Sequence, residues 1–572
     1  MASSVANTAV SEPIHYSKEK EAQYVSAELS YGGSDAVFED YLHHAALQRL
    51  AEEPGDQEVT LEGRDWFSRF SHYKGANVNV DVRNVSKAVL MTQDEEERAN
   101  ASRALRLASW ASVFYLITTD ILGPFNAPFA ISQVGWVPAH VNWLVVGVLA
   151  LYTGLILWRL FVRLDSLKYP LKTYGDMAER IFGKIARHVC TVLQSLQLLV
   201  NVPTICLSNG QALSQITKGK LCFIVCIVIW AILGMVIGQI RTLKNFGWLA
   251  NSAVWINLII IFISMGFVAH SPPNYASALS SLNVPQGPVV TEKFAHLPLF
   301  SQVNGIMNMV RPCLIMLLNL VFAYGGAMIF PEIMAEMRRP MDFWKGMTLA
   351  QALIFTAYLL YGAFVYAFQG QFTLPLAYQG VSKFSWQTVG NVLSLVTGII
   401  AAGLYGNIGI KVVYINVVED WMKGPRLMTF KGRVIWSLMV CGYWALAFVI
   451  GAAIPQIQTI TGLIAAIAIM QFTYTFPPLL RLGYDVITDA MGSDELYSPG
   501  KGASCRIDTW RDWSRWKRGL FGGRWYFKLF NLGMALGGLV MACLGMWGAG
   551  ESIKEVFANS AAATSFGCKA PV

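Results

Sequence analysis

The chain has 572 residues, 54% of them apolar or aromatic and only 14% charged, with a formal net charge of +8. A soluble protein of that length divides into domains with charged surfaces, whereas here the mean hydropathy is +0.43 and the apolar residues gather in bilayer-length runs. That excludes the soluble class and makes most of the chain an all-α integral membrane protein; the excess Lys and Arg sit in loops between the runs, so the charge is no nucleic-acid signature.

Residues 1–104 are polar, charged and without an apolar signal-peptide core, and read as a cytoplasmic, largely disordered N-terminal tail. Two weak helical stretches interrupt it, DYLHHAALQRLAEE and DEEERANASRALRLASW. Eleven apolar segments follow, at about 107–137, 140–163, 184–213, 221–240, 246–269, 306–336, 343–369, 388–418, 433–454, 457–480 and 526–548. Trp110 and Trp136 bracket the first, where interfacial aromatics belong. Lys and Arg concentrate in alternate loops, 163–187, 338–345, 423–433 and 481–525. The positive-inside rule then puts the N-terminus in the cytoplasm and, with eleven spans, the tail 549–572 outside. Each basic loop reads as a topology and lipid-headgroup signal rather than a partner site. The nine cysteines suggest no disulfide framework and no metal spacing: Cys222 lies beside an apolar run, and Cys505 and Cys568 lie well outside one.

Two spans are broken. TTDILGPFNAPFA, residues 118–130, puts Asp120, Gly123, Pro124, Asn126 and Pro128 inside span one. NLVFAYGGAMIFPEIMAEMRRP, residues 319–340, puts Gly325, Gly326 and Pro331 inside span six. Such residues free backbone groups that persist at bilayer depth only where protein or a cavity satisfies them. Each break opens a set of five spans, about 105–270 and about 305–480, which points to inverted repeats with a binding site at the midplane. In span one, Asn126 is placed to cap a new half-helix with Pro128 in its first turn, aiming N–H groups at a carboxylate. In span six, carbonyls freed near Phe322 and Ala323 suit an ammonium. A ligand with both charges on one carbon is an α-amino acid.

Gly123-x-Phe125-x-x-Pro128-Phe129-Ala130 resembles the first-helix core of the amino acid/auxin permease family. Phe322-Ala323-Tyr324-Gly325-Gly326, then Pro331-Glu332 and Glu336-Met337, resembles that family's sixth helix, and Tyr174-Gly175-Asp176 and Phe182-Gly183 fit as well. The resemblance spans about 105–548 and is strongest to fungal neutral amino acid permeases of the methyltryptophan-resistance type. It implies the five-plus-five inverted-repeat fold of the amino acid–polyamine–cation superfamily, with discontinuous helices one and six and transport by alternating access. By position, Gly123, Pro124, Phe125, Asn126 and Ala127 would hold the carboxylate. Phe322, Ala323 and Gly325 would take the amino group, Tyr324 and Phe125 would wall the pocket, and Gly325, Gly326 and Ala327 would leave room for a side chain. Aromatic walls favour neutral substrates, aliphatic or aromatic. No cofactor is implied.

Two roles are open to Asp120: a proton carrier, or a structural acid bonding N–H groups freed by the break. Sodium-using relatives place an Asn on this half-helix, where Ile117 stands nearest here, although Ser394 and Thr397 do lie on span eight. That departure favours proton over sodium coupling. Glu332 and Glu336, beside Arg338 and Arg339, read as interfacial ion pairs or an inner gate, and Lys411 as snorkelling inward. Asn201-Val202-Pro203 is a kink candidate, and Ser208 or Asn209 could face the pocket, with helix packing the commoner role. Gly234 and Gly238 read as a small-residue contact. A transporter-like nutrient sensor and a vacuolar transporter stay open. A channel would need a repeated filter, an enzyme a polar cluster at one membrane face, and a nucleotide-driven pump a phosphate loop; none is present.

Overall fold

Without water to bond them, backbone N–H and C=O groups must pair within their own segment, which at bilayer depth leaves helices and closed barrels. The computed structural model takes the helical route: among the described residues all regular structure is helical, apart from two isolated bridge pairs, Ala108 with Met337 and Pro273 with Val381. The structure describes residues 36–52, 106, 108–121, 123–240, 243–282, 284–293, 324–374, 376–425, 427, 429–453, 462–495, 506–558 and 566–568. The rest of the predicted disordered tail, the first part of the predicted span 306–336, and with it Phe322 and Ala323, lie outside these residues. Eight helices are long and apolar enough to cross a membrane, and they overlap eight of the eleven predicted segments. The segment 221–240 holds a shorter apolar helix, Phe223–Ile237, and 107–137 is interrupted.

The chain divides into two units, residues 1–90 with 486–523, and residues 91–485 with 524–572. The larger unit begins with α2 (Trp110–Ile121) and α3 (Ala127–Val134), then α4 (Trp136–Leu164), α5 (Tyr174–Phe182), α6 (Lys184–Ile216), α7 (Phe223–Ile237), α8 (Leu243–Ala269) and α9 (Tyr275–Leu282). It continues through α10 (Phe330–Ala335), α11 (Phe343–Gln369), α12 (Phe384–Val413), α13 (Phe430–Ala453), α14 (Phe476–Ala490, whose last turn belongs to the smaller unit) and α16 (Trp525–Ala558). Gly135, at φ 87°, makes the sharp turn between α3 and α4 in a conformation that side chains resist.

Packing sorts most of these helices into two sets. In one, α11 packs against α2, α3 and α4, and α4 against α10. In the other, α6 packs against α12, α7 and α13, and α7 against α13. Helix α8 touches both sets, through α2 and α11 and through α12. Small residues set the close crossings, because lipid gives helices no hydrophobic reason to associate and contact must come from fit. The Gly234–Gly238 pair seats the Trp444 ring of α13, and Gly346 of α11 lies under the backbone of α2, 2.6 Å from the Trp110 carbonyl for an added Cβ. Helix α6 runs through Pro203 without a break, and Asn209 packs against Gly398.

The cysteines, from whose spacing no disulfide framework is expected, do form a bridge. Cys222, at the start of α7, forms a disulfide with Cys568, 346 residues away. Phe223 N–H donates to the Cys568 carbonyl and Phe566 N–H to that of Ala452, so the tail spans the ends of α7 and α13. No spacing rule reveals a partner that distant.

In the smaller unit α1 (Phe38–Glu52) forms where the weak helical stretch stands, with Glu39 and Asp40 at its positive end and Arg49 at its negative end. Glu39 takes a forked bond from Arg506, both distances 2.7 Å. Arg515, on α15 (Trp513–Phe521), is buried between Asp494 and Asp508, and Arg518 forks onto Asp508. Those donors, Arg518 first, hold the Asp508 carboxyl down at about 2, so Asp508 is ionised at neutral pH. Three arginines of the basic loop are thus bound within the unit, which the sequence reading did not anticipate.

Candidate functional site

Helix α2 stops at Ile121 because Gly123 and Pro124 cannot continue its ladder. One tight turn, Pro124–Asn126, restarts it, and Ala127 N–H already bonds to the Pro124 carbonyl. Pro128 then falls in the first turn of α3, as expected. Asn126 stands at the capping position but its side chain makes no cap bond. Its backbone is already helical (φ −95°, ψ −7°), because the tight turn has taken over the capping role. Asp120 lies in the last turn of α2, and its side chain is outside the described structure.

The Gly123 N–H is not left open: it donates to the Tyr358 hydroxyl of α11 at 3.3 Å. Phe125 is buried edge-on between Tyr361 (centroids 5.8 Å apart) and Tyr378 (4.9 Å). Ser264 bonds the Tyr361 hydroxyl, and that of Tyr378 is within bonding reach of Ser394 and Ser208. Ser394 and Thr397 donate back to carbonyls of their own helix, those of Asn391 and Ser394.

The described part of the second break runs from Tyr324 through a tight turn, Gly325–Ile329, into α10 with Pro331 in its first turn. Tyr324 is buried edge-on to Trp143 and stacked on Tyr358 at 6.2 Å. The two breaks therefore meet across one side chain, since Tyr358 holds Gly123 with its hydroxyl and Tyr324 with its ring. A Cβ at Gly325 would stand 2.8 Å from Ile469, so that glycine admits a neighbouring helical segment. Tyr358, Tyr361, Tyr378 and Trp143 escaped the sequence reading. Phenols three residues apart in an apolar span were the available signal, because a buried hydroxyl needs a partner.

Around the far end of α10 the expected pairings are rearranged. Neither Glu332 nor Glu336 pairs with Arg338 or Arg339 among the described residues. Glu336 pairs with Lys411 at 2.5 Å, so Lys411 reaches a specific acid on another helix instead of snorkelling to the headgroups. Glu332 is 6% exposed; its Oε1 accepts from the Tyr174 N–H (3.0 Å) and from Gln194 Nε2 (2.7 Å). Close by, Ala108 N–H donates to the Glu336 carbonyl and Arg338 N–H to that of Ala108, stitching the chain before α2 to the chain after α10. Arg106 forks onto the fully buried Asp165, at 3.0 and 2.9 Å. Arg106 and Asp165 carry no motif, and the sequence reading passed over them.

Residues 106–484, a stretch that holds both breaks and these pairs, match the family described as transmembrane amino acid transporter protein. The chain belongs to that family. Among curated relatives, a transmembrane transporter of Gibberella moniliformis is 22% identical over 473 residues, 81% of this chain and 88% of its own length. One of Fusarium pseudograminearum is 24% identical over 389 residues, covering 66% and 75%. The N amino acid transport system protein of Neurospora crassa is 21% identical over 412 residues, covering 70% and 81%. The transporter's chemistry is thus movement of an amino acid across a membrane and not catalysis.

Proposed function

We propose that this transporter imports neutral L-amino acids together with protons by alternating access, in a five-plus-five repeat of eleven spans. The observation that carries the reading is the meeting of the two breaks across Tyr358. Span ends that face each other in the protein interior are what a ligand with a carboxylate and an ammonium requires. The substrate would lie along Gly123–Ala127 and against Tyr324–Gly326, with Phe322 and Ala323 completing the ammonium end. The neutral preference is supported by the side chains around the break, which are aromatic and apolar: Phe125, Trp143, Tyr324, Tyr358, Tyr361 and Tyr378. Proton coupling is favoured over sodium because Ile117 stands where sodium-using relatives place an Asn.

Two helix sets bridged by α8 fit a cycle in which the set holding both breaks rocks against the other. The Glu336–Lys411 pair joins one set to the other at the basic-loop end, and with the Ala108–Met337 seam it would form the inner gate. The disulfide supports the orientation: Cys222 and Cys568 must share an oxidising compartment, opposite the basic loops. In this reading the C-terminus would lie outside, the N-terminus in the cytoplasm and the protein in the plasma membrane.

The test is uptake into proteoliposomes holding the purified full chain. Leucine or phenylalanine should accumulate under an inward acid gradient and not under a sodium gradient, and lysine or glutamate should compete poorly. Accumulation driven by sodium would replace the coupling ion. No accumulation under either gradient would refute coupled transport and leave a sensor.

A further inference from the structure

We infer that Glu332 is the residue that carries the coupled proton, an assignment that rests on the proton-coupled reading above. In the larger unit most other acids near the basic-loop end have cations, and Glu419, only part-buried, accepts from the Leu427 N–H. Asp165 has Arg106, Glu336 has Lys411, Asp485 has Arg481, Asp342 has Lys345, and Asp176 and Glu179 share Arg187. Glu332 is nine-tenths buried and pairs with no cation among the described residues. A carboxylate locked to an arginine stays ionised through any working pH range, whereas a buried one without a cation is free to change state.

The surroundings offer a place for each form. Ionised, Glu332 is held through Oε1 by the Tyr174 N–H at the positive end of α5 and by the Gln194 amide of α6. Protonated, it has Oε2 to hold the proton, an oxygen with no protein partner. Buried acceptors without partners lie on the same stretch of α6, Gln194 Oε1 and Gln197 Oε1, one turn apart. Buried polar atoms without partners are costly, and a proton on the carboxyl would give one of these acceptors a donor.

The other titratable groups around it are few. Helix α5 brings Tyr174 and Asp176, the latter engaged by Arg187 and by its capping box. Helix α6 brings Cys190, and α10's own side brings Glu336, which is neutralised by Lys411. The 471–475 segment brings Tyr474, bonded to the Val146 carbonyl. Helix α4 meets α10 at Gly154, while its Arg163 lies over Tyr484 and its Arg159 acts on Tyr152.

Position supplies the coupling. Glu332 sits in the first turn of α10, beyond the second break, and its two donors come from α5 and α6. The ionised form ties α10 to both; a proton, taken from hydronium on the acidic side and released to water on the other, weakens both bonds. Proton occupancy thereby sets how firmly the end of the broken span is held.

The experiment compares full-length wild type and Glu332→Gln in proteoliposomes. The wild type should accumulate leucine under an acid gradient. Glu332→Gln should lose accumulation yet retain measurable counterflow exchange at a rate independent of pH. Accumulation by Glu332→Gln at wild-type level would overturn the assignment and leave the proton-coupled reading intact, whereas no gradient-driven accumulation by the wild type would overturn both. If Glu332→Gln does not reconstitute, Gln194→Met decides. Loss of a donor to the carboxylate should raise the pH at which accumulation is half lost, by about one unit. An unmoved pH profile would overturn the assignment.

Discussion

Gly325 offers the sharpest test of how the second break is packed. An added Cβ would stand 2.8 Å from Ile469 Cγ2 and 3.3 Å from its Cδ1. Carbon pairs prefer about 3.5–4.0 Å, so the shortfall is close to 1 Å. Ile469 is buried in a π-helical segment, Ala465–Ile469, and has little freedom to retreat. Overpacking of this kind costs about 1–3 kcal/mol. Charged to one state of a transport cycle, that is a shift of about 5- to 150-fold in population. Gly325→Ala should therefore lower the uptake rate within that range, and Gly325→Leu should abolish uptake, with both proteins inserted in the membrane at normal yield. The decisive assay is the double variant Gly325→Ala/Ile469→Ala, because residues in contact couple by about 0.5–3 kcal/mol. Rescue by Ile469→Ala is expected. Wild-type uptake by Gly325→Ala, or strictly additive losses in the double variant, would refute the packing argument.

Other consequences follow from individual pairs. Arg106→Met takes the arginine from the fully buried Asp165, which keeps the Leu171 N–H, and should cost about 3–5 kcal/mol of stability, read as a lower melting temperature in detergent. Adding Asp165→Leu should recover most of it, and an unchanged melting temperature for Arg106→Met would count against a buried pair. Lys411→Gln should slow uptake about 5- to 150-fold by weakening a partly buried gate pair, while the charge swap Glu336→Lys/Lys411→Glu should restore it. Failure of the swap, with both proteins folded, would argue that the pair is not a gate. With a protease site inserted within residues 496–505, the C-terminal fragment should stay attached on a non-reducing gel and separate after reduction. Cys222→Ser should release it without reductant, and free migration of the wild-type fragment would deny the disulfide.

Much of the local architecture was legible along the chain. Apolar runs of bilayer length predict helices wherever they occur, since an unpaired backbone is too costly there. The breaks are equally local: Gly123-Pro124 stops α2 and Pro128 fits only the first turn of a restarted helix. The half-helix was predictable, but the missing cap bond from Asn126 was not, because that depended on the tight turn Pro124–Asn126 that precedes α3.

The sequence by itself determined which of the described segments are helical, where the first of them breaks and which stretches between them are basic, because propensity, chain stiffness and hydrophobic length act within a few residues. Tertiary structure alone decided the pairs. Tyr358 reaches Gly123 across 235 positions, Gln194 reaches Glu332 across 138 and Lys411 reaches Glu336 across 75. A buried polar group must have a partner, but which one it takes is set by how the helices stack, and no local rule carries that information.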